Sequence, residues 1–112
     1  MDNKIKALKN YLDLKSGDIV DSGDDLFTTR TEEEYLVLTD EEADTRWEEE
    51  LDSYIDNCIL PEVPESIRFY FDEEKWKDDA RLDGRGHSIS IYDGVEESET
   101  IDGIDYYIYR MN

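Results

Sequence analysis

The chain has 112 residues, enough for one domain of ordinary size and too few for two, and 32 acidic against 12 basic residues give it a formal net charge of −20. Contacts with phosphate or anionic lipid depend on Lys and Arg, so this balance argues against direct binding to nucleic acid or to a membrane. We expect a cationic partner instead: a metal, a polyamine or a basic protein surface.

The composition predicts a folded chain rather than a disordered acidic tail. Disordered tails are poor in aromatic residues, whereas this chain is 12% aromatic and 38% hydrophobic. Its single cysteine, Cys58, cannot form an internal disulfide and favours a reducing compartment. Lysines interrupt the N-terminal segment, which has no apolar signal-peptide core, and no apolar run approaches the length of a membrane span. We therefore expect a cytoplasmic protein, in the host cell cytoplasm if a phage encodes it.

The first part of the chain predicts a helix, a loop and a strand. Residues 3–14 place apolar side chains at helical spacing, and residues 15–25, rich in Gly, Ser and Asp, predict a loop. Residues 34–38 predict a strand bounded by charge. Thr39 then has the position of a helix N-cap, and Glu42, three residues later, completes a capping box.

The helix after Thr39 carries the clearest periodic pattern in the sequence. An apolar side chain recurs every three or four residues along one stripe: Ala43, Trp47, Leu51, Tyr54, Ile55 and Cys58. A cysteine on such a face is more often a core residue than a nucleophile. We therefore expect the stripe, Cys58 included, to pack against the rest of the domain.

The middle of the chain predicts two more helices. Residues 59–64 form a connection punctuated by prolines, and residues 64–71 predict a helix with a proline near its first turn. Residues 72–82 predict a further short helix with apolar side chains on one face.

The C-terminal part predicts a β-hairpin. Residues 83–87 predict a turn, residues 88–92 a strand, residues 93–103 a loop or a strand and turn, and residues 104–110 a strand. We expect the tyrosines of this hairpin to pack one face of it: Tyr106, Tyr107 and Tyr109. The predicted fold is α+β, a single small domain over residues 1–112 in which amphipathic acidic helices pack on a short antiparallel sheet.

Residues 39–56, TDEEADTRWEEELDSYID, hold nine acidic residues and one basic residue. As a helix, the stretch from Asp40 to Asp56 would extend about 25 Å. Duplex DNA of that length carries roughly fifteen phosphates, so one such helix reaches over half the linear charge density of DNA. A rigid surface of this kind could occupy a DNA-binding site that gains affinity by counterion release.

The predicted partner-binding surface extends from this helix into the segment that follows. It comprises fourteen carboxylates: Asp40, Glu41, Asp44, Glu48, Glu49, Asp52, Asp56, Glu62, Glu65, Asp72, Glu73, Glu74, Asp78 and Asp79. A solvated helix face is the ordinary explanation of such a charge run, and a halophilic origin is another. The density of the run, the charge of the whole domain and the scarcity of compensating lysine favour a binding function.

Three smaller motifs have ordinary structural explanations. Arg85 and His87 alternate with glycines in DGRGH and could hold a phosphate, but the glycines favour a plain turn. The carboxylates of residues 18–26 lack the ligand spacing of an EF-hand calcium loop. Glu73 and Lys75 have the residue types of a nuclease motif, yet they lie in a predicted helix instead of a strand. We predict no catalytic residue, no cofactor and no dedicated metal site.

The segment VPESIRFYFDEEKWKDDARLDG, residues 63–84, resembles the C-terminal part of the ArdA family of antirestriction proteins. The positions that match the family's layout are Pro64, Ser66, Tyr70, Asp72, Asp79 and Gly84. The preceding segment DSYIDNCILPE, residues 52–62, is also similar. The chain further resembles small acidic phage proteins that end in a segment like DGRGHSISIYDG, residues 83–94.

ArdA proteins are phage- or plasmid-borne mimics of B-form DNA that occupy the DNA site of type I restriction enzymes. The resemblance therefore implies a non-enzymatic inhibitor whose partner is the basic DNA-binding site of a host defence complex. This chain is shorter than the multi-domain members of the family, so a homodimer would lengthen its footprint, and Asp78 stands where the family usually has a basic residue. The target stays open between a restriction enzyme and a CRISPR effector, which also holds DNA in a basic channel.

Two other functions stay open on the sequence alone. An acidic adaptor or regulatory protein could bind a basic protein surface without imitating DNA, and competition with duplex DNA would separate the two functions. A metal-dependent hydrolase with Asp and Glu ligands would lose its activity in EDTA, which neither of the other functions predicts.

Overall fold

A computed structural model describes residues 3–13 and 18–112. The described residues form five strands: β1 Ile19–Gly23, β2 Leu26–Thr29, β3 Glu34–Thr39, β4 Glu97–Ile101 and β5 Ile104–Arg110. They form four α-helices: α1 Asn3–Leu12, α2 Asp40–Tyr54, α3 Glu73–Arg81 and α4 Arg85–Ile89. A π-helical turn over Ile55–Ile59 and two 3₁₀ turns over Leu60–Glu62 and Glu65–Tyr70 join α2 to α3. The predicted α+β class is confirmed.

The strands of this part of the chain form one antiparallel sheet in the order β1-β2-β3-β5-β4. Its central strand, β3, is buried on both faces because its side chains alternate between two helical layers. Tyr35 and Val37 face α1, where Leu8 covers them, while Leu36 and Leu38 face α2 and α4. The sheet is therefore sandwiched, with α1 on one face and the acidic helix α2 on the other.

The start of α2 has the predicted capping box. The Thr39 side chain accepts a hydrogen bond from the N–H of Glu42, and the Glu42 carboxylate accepts one from the N–H of Thr39 at 2.9 Å. Two backbone donors that the helix leaves without partners are thus satisfied. The capping box fixes where the acidic helix begins, directly after the central strand.

The prediction that Cys58 packs against the rest of the domain, just after the C-terminal end of α2, is wrong. The stripe is buried at Ala43, Leu51 and Ile55, but Cys58 is exposed. The wider π-helical turn over Ile55–Ile59 changes the register at this point, so the three-and-four spacing no longer keeps the thiol on the packed face.

The predicted loop over residues 15–25 is wrong over Ile19–Gly23, which is strand β1; residues 24–25 form a turn, and residues 14–17 lie outside the described residues. Four of the five β1 residues are exposed, so an edge strand here needs only Ile19 to be apolar. Asp24 and Asp25 form its turn to β2 with φ of 54° and 64°, a left-handed conformation that Asp tolerates.

The predicted turn over residues 83–87 is correct at Asp83 but wrong from Arg85 onward, and the predicted strand over residues 88–92 is wrong. Residues Arg85–Ile89 form the short helix α4, and Ile89 packs against the sheet. A short apolar run does not distinguish strand from helix, and here tertiary packing decides. A Cβ on Gly86 would lie 2.6 Å from the backbone nitrogen of Glu96, so the close contact between α4 and this segment requires glycine.

The C-terminal hairpin is formed by β4 and β5, and its tyrosines do not share a face as predicted. Tyr106 packs with the α1 layer, whereas Tyr107 and Tyr109 pack with the α2 layer, because neighbouring strand residues point to opposite faces. The helix predicted over residues 64–71 is a 3₁₀ turn over Glu65–Tyr70 with every residue exposed.

Candidate partner-binding acidic surface

The fourteen predicted carboxylates are all on exposed residues. Helix α2 and the π-helical turn after it hold the first seven, and α3 with its N-cap Asp72 holds the last five. Glu62 and Glu65 lie between the helices. We call these fourteen residues the acidic surface.

Helices α2 and α3 lie side by side in opposite directions. Arg81, at the end of α3, bonds Glu48 in the middle of α2, while Trp76, nearer the start of α3, stacks on Tyr54 at the end of α2. The two aromatic rings are 5.4 Å apart between centroids and almost parallel. This arrangement brings carboxylates from both helices together.

Lys77 lies beneath the carboxylates at the contact between the two helices. Its side chain is only 9% exposed, and its ammonium nitrogen lies 2.5 Å from Asp52, 3.5 Å from Glu48 and 3.9 Å from Glu74. The hydrogen bond to Asp52 is the largest cause of the raised pKa of Lys77, and burial opposes it. Lys77 therefore stays charged and forms ion pairs with three carboxylates of the acidic surface.

Arg81 continues the same network one helical turn later. It bonds Glu48 on α2 and Asp78 on its own helix, the latter at 2.8 Å. Its pKa is raised chiefly by the hydrogen bond to Glu48. Lys77 and Arg81 together serve four carboxylates, so this cluster keeps two uncompensated negative charges while its side chains are fixed by cations.

Arg85 holds a second cluster at the start of α2. Its side chain is 10% exposed and lies 2.9 Å from Asp40, 2.8 Å from Asp44 and 2.6 Å from Glu96. Its guanidinium also lies over the ring of Tyr107, 4.5 Å from the centroid. Burial alone lowers the pKa of Arg85, but the bonds to Glu96 and Asp40 outweigh it and the pKa is raised. Three carboxylates share one guanidinium, so this cluster also keeps two negative charges.

Glu96 links the Arg85 cluster to the core. It accepts a hydrogen bond from the hydroxyl of Tyr109, which is fully buried. Burial, followed by this bond, raises the pKa of Tyr109 well above its ordinary value. The acidic surface is thus anchored to the central sheet through Arg85, Glu96 and Tyr109.

Arg85 has a structural position that the sequence analysis missed, since its segment was predicted as a plain turn. One signal was available in the sequence. Lys77, Arg81 and Arg85 recur at intervals of four, although only Lys77 and Arg81 share a helix, because α3 ends at Arg81 and Arg85 begins α4. Cations at this interval next to a strongly acidic helix favour ion pairs with it, without indicating which carboxylates they reach.

More than half of the acidic surface has no such cation. Among the described residues, eight of its members pair with no basic side chain: Glu41, Glu49, Asp56, Glu62, Glu65, Asp72, Glu73 and Asp79. The Asp72 side chain instead accepts the N–H of Lys75 as a helix cap. The surface therefore combines carboxylates that pair with largely buried cations and carboxylates that have no basic side chain beside them.

A groove of about 630 Å³ lies beside the acidic surface, and its walls come from α2, α3, α4 and the π-helical turn. Tyr54 and Trp76 line it, as do Cys58 and His87. Across residues 3–13 and 18–112, no group of three or more His, Cys, Asp or Glu side chains is arranged to hold a metal ion. The carboxylates of the 18–26 segment serve the fold: Asp21 accepts the N–H of Gly23, and Asp25 pairs with Lys4.

No protein-family model, no curated protein and no solved structure matches this chain. The resemblance to the ArdA family therefore stays a prediction. In the part of the chain that the structure describes, no helix combines the length and the apolar character needed to cross a membrane.

Proposed function

We propose that this protein is a non-enzymatic inhibitor that imitates the charge of DNA and occupies the DNA-binding site of a host defence nuclease, either a restriction enzyme or a CRISPR effector. One observation carries the proposal: all fourteen carboxylates of the acidic surface are exposed, and cations beneath them hold six in fixed positions. The six are Asp40, Asp44, Glu48, Asp52, Glu74 and Asp78.

The amount and extent of charge fit a DNA-binding channel. Residues 40–83 contain seventeen acidic and five basic residues, a net charge of −12. The molecule measures 56 × 29 × 20 Å, and its radius of gyration is 16.6 Å, whereas a compact domain of this length would have about 13 Å. An elongated acidic body suits a site that binds a linear polyanion.

Carboxylates that are already ordered in the free protein make the free energy of binding to a DNA-binding site more favourable. Ordering a mobile side chain at an interface costs about 0.5–1.5 kcal/mol. For the six carboxylates that Lys77, Arg81 and Arg85 already hold, most of that cost is met when the protein folds. The partner's Lys and Arg residues can then release their counterions, as they do when they bind DNA.

The test is competition for DNA in both directions. A purified type I restriction enzyme and a purified CRISPR effector are each incubated with a labelled duplex, and the chain is titrated in. We expect the chain to displace the duplex from one of them and excess duplex to displace the chain, with an affinity that falls steeply as salt rises. Failure to compete with the duplex on both enzymes would contradict the proposal.

An acidic adaptor that binds a basic protein without imitating DNA is the second candidate. The observation that favours it is the exposed pair Phe69 and Tyr70, which has no counterpart on a duplex. An adaptor would bind its basic partner, and excess duplex DNA would not displace it from that partner. The same competition experiment therefore separates the two functions.

A further inference from the structure

The 3₁₀ turn over Glu65–Tyr70 carries the most exposed aromatic side chain among the described residues. Phe69 is 85% exposed, Tyr70 76% and Ile67 49%. The rings of Phe69 and Tyr70 touch edge to face, with centroids 4.8 Å apart. Large apolar side chains exposed together mark interaction sites more often than single exposed ones.

The turn that carries these side chains is ordered by its own hydrogen bonds. The N–H of Ile67 donates to the carbonyl of Pro64 at 2.9 Å, and the N–H of Phe71 donates to Arg68 at 3.0 Å. The Arg68 side chain donates to the carbonyl of Val63 at 2.9 Å. The aromatic pair is thus presented on a preformed turn, which lowers the entropy cost of binding.

We call the exposed side chains of Ile67, Phe69 and Tyr70 the patch. The charges of the residues beside the patch indicate which kind of partner it fits. Four members of the acidic surface flank the patch in sequence, and all are exposed: Glu62, Glu65, Asp72 and Glu73. A second copy would bring the same acidic rim and a second charge of −20 against it. A basic protein with an apolar pocket beside its cationic groups would satisfy both the ring pair and the rim.

We propose that Phe69 and Tyr70 are an apolar anchor that inserts into a pocket next to the basic DNA-binding site of the protein partner. This inference rests on the proposed function and deepens it, because it adds a contact that duplex DNA cannot make. Carboxylates give affinity that salt weakens, whereas buried aromatic side chains give affinity that salt hardly changes. The anchor therefore supplies the selectivity for one partner that charge alone lacks.

The test measures affinity for the defence enzyme that the chain displaces from DNA, across a range of salt concentrations. Phe69→Ala is compared with Ile91→Ala, a control whose side chain is 76% exposed outside the patch. We expect Phe69→Ala to weaken binding about 30-fold or more, as hot-spot residues do, with an unchanged dependence on salt. Ile91→Ala should bind like the wild type, and both variants should keep the wild-type unfolding midpoint.

The outcomes separate the two proposals. If Phe69→Ala keeps wild-type affinity while the wild type still competes with DNA, the proposal of an apolar anchor is wrong and the proposed DNA-mimic function is retained. If the wild type competes with DNA on neither enzyme, the proposed function fails and the anchor fails with it. If sedimentation shows a dimer of the chain that Phe69→Ala dissolves, the patch binds a second copy and the anchor is overturned.

Discussion

The guanidinium of Arg85 lies 2.8 Å from the carboxylate of Asp44, across 41 residues of sequence. This contact joins α4 to the first turns of the acidic helix. The concentration of charge on α2 is therefore not left to repel itself, because a cation whose side chain is 10% exposed lies beneath it. Arg85 lowers the repulsion within the fold and leaves the outer side of each carboxylate available.

Removing the Arg85 side chain should destabilise the domain. Arg85→Gln leaves Asp40, Asp44 and Glu96 without their shared cation. We expect the free energy of unfolding to fall by about 2–4 kcal/mol. Urea denaturation measures the change. Arg30→Gln is the matched control, since the Arg30 side chain is 79% exposed and pairs, among the described residues, with Asp18 alone, so its effect should stay within about 0.5 kcal/mol.

Removing the charge of Lys77 should destabilise the α2–α3 contact in a salt-dependent way. Lys77→Met keeps the apolar stem but leaves Glu48, Asp52 and Glu74 to repel one another. We expect a loss of about 1–2 kcal/mol at low ionic strength that shrinks as salt is added. Lys75→Met, on the exposed side of the same helix, should be nearly neutral at every salt concentration. Equal effects of the two substitutions would show that Lys77 does not hold the cluster.

Glu42 should contribute stability that acid removes. Burial alone would raise its pKa, but hydrogen bonds from Lys4 and from the N–H of Thr39 outweigh burial and lower the pKa below its ordinary value of 4.5. A lowered folded pKa gives stability that is present above about pH 4.5 and lost as pH falls through the folded pKa. Glu42→Gln keeps the capping box and removes the charge.

We therefore expect the wild type to exceed Glu42→Gln by about 0.5–1 kcal/mol near neutral pH, a modest value because the Glu42 side chain is 42% exposed. The difference should begin to shrink as pH falls below about 4.5 and should vanish once pH lies below the lowered folded pKa. Unfolding free energies of the two proteins across this range provide the measurement. A difference that grows in acid would have the wrong sign.

Tyr35 should make the protein sensitive to alkali. Burial, together with its hydrogen bond to Glu33, raises the pKa of Tyr35 to about 12. A raised folded pKa gives stability that is present below the ordinary value of 10.0 and lost as pH rises toward the folded value. Tyr35→Phe should cost about 1 kcal/mol at neutral pH and lose less stability than the wild type between about pH 10 and pH 12.

Tyr92→Phe is the control for this alkaline loss, since Tyr92 is 56% exposed and its ring stays over Arg110 when the hydroxyl is removed. Tyr92→Phe should unfold like the wild type at neutral pH, because the substitution removes only an exposed hydroxyl. Chemical denaturation at several alkaline pH values measures both variants, and an identical alkaline loss in Tyr35→Phe and the wild type would exclude Tyr35 as its source.

Local features of the fold were predictable from the sequence. The capping box of Thr39 and Glu42 depends on residues three apart, and the buried Ala43 and Leu51 follow from helical spacing. Such patterns lie within one element, where spacing and residue type suffice. The exposure of the acidic surface followed from its charge.

The remaining features depend on contacts between distant segments. Arg85 contacts residues 41 and 45 positions away, and no local pattern encodes that distance. Its helix packs against the backbone of Glu96, a contact that a Cβ on Gly86 would prevent. Strand β1 escaped prediction because an edge strand tolerates polar residues on almost every position. Cys58 was misplaced because a π-helical turn breaks the spacing that the stripe assumes.

The most direct test of the DNA-mimic proposal compares two variants with the same net charge. Each variant has four acidic side chains neutralised, but the four lie on different parts of the protein surface. One neutralises four unpaired members of the acidic surface: Glu49→Gln, Asp56→Asn, Glu62→Gln and Asp79→Asn. The matched control neutralises four exposed acids elsewhere: Asp24→Asn, Glu32→Gln, Glu97→Gln and Asp102→Asn.

The measurement is the concentration of each variant that displaces half of the duplex from the defence enzyme. If the acidic surface takes the place of DNA phosphates, the position of the lost charges determines the result. The first variant should then need a concentration at least tenfold higher than the wild type, and its binding should depend less on salt. The control variant should displace the duplex at the wild-type concentration. Equal losses in the two variants would show that net charge alone drives binding, and would contradict a DNA-mimicking surface on α2 and α3.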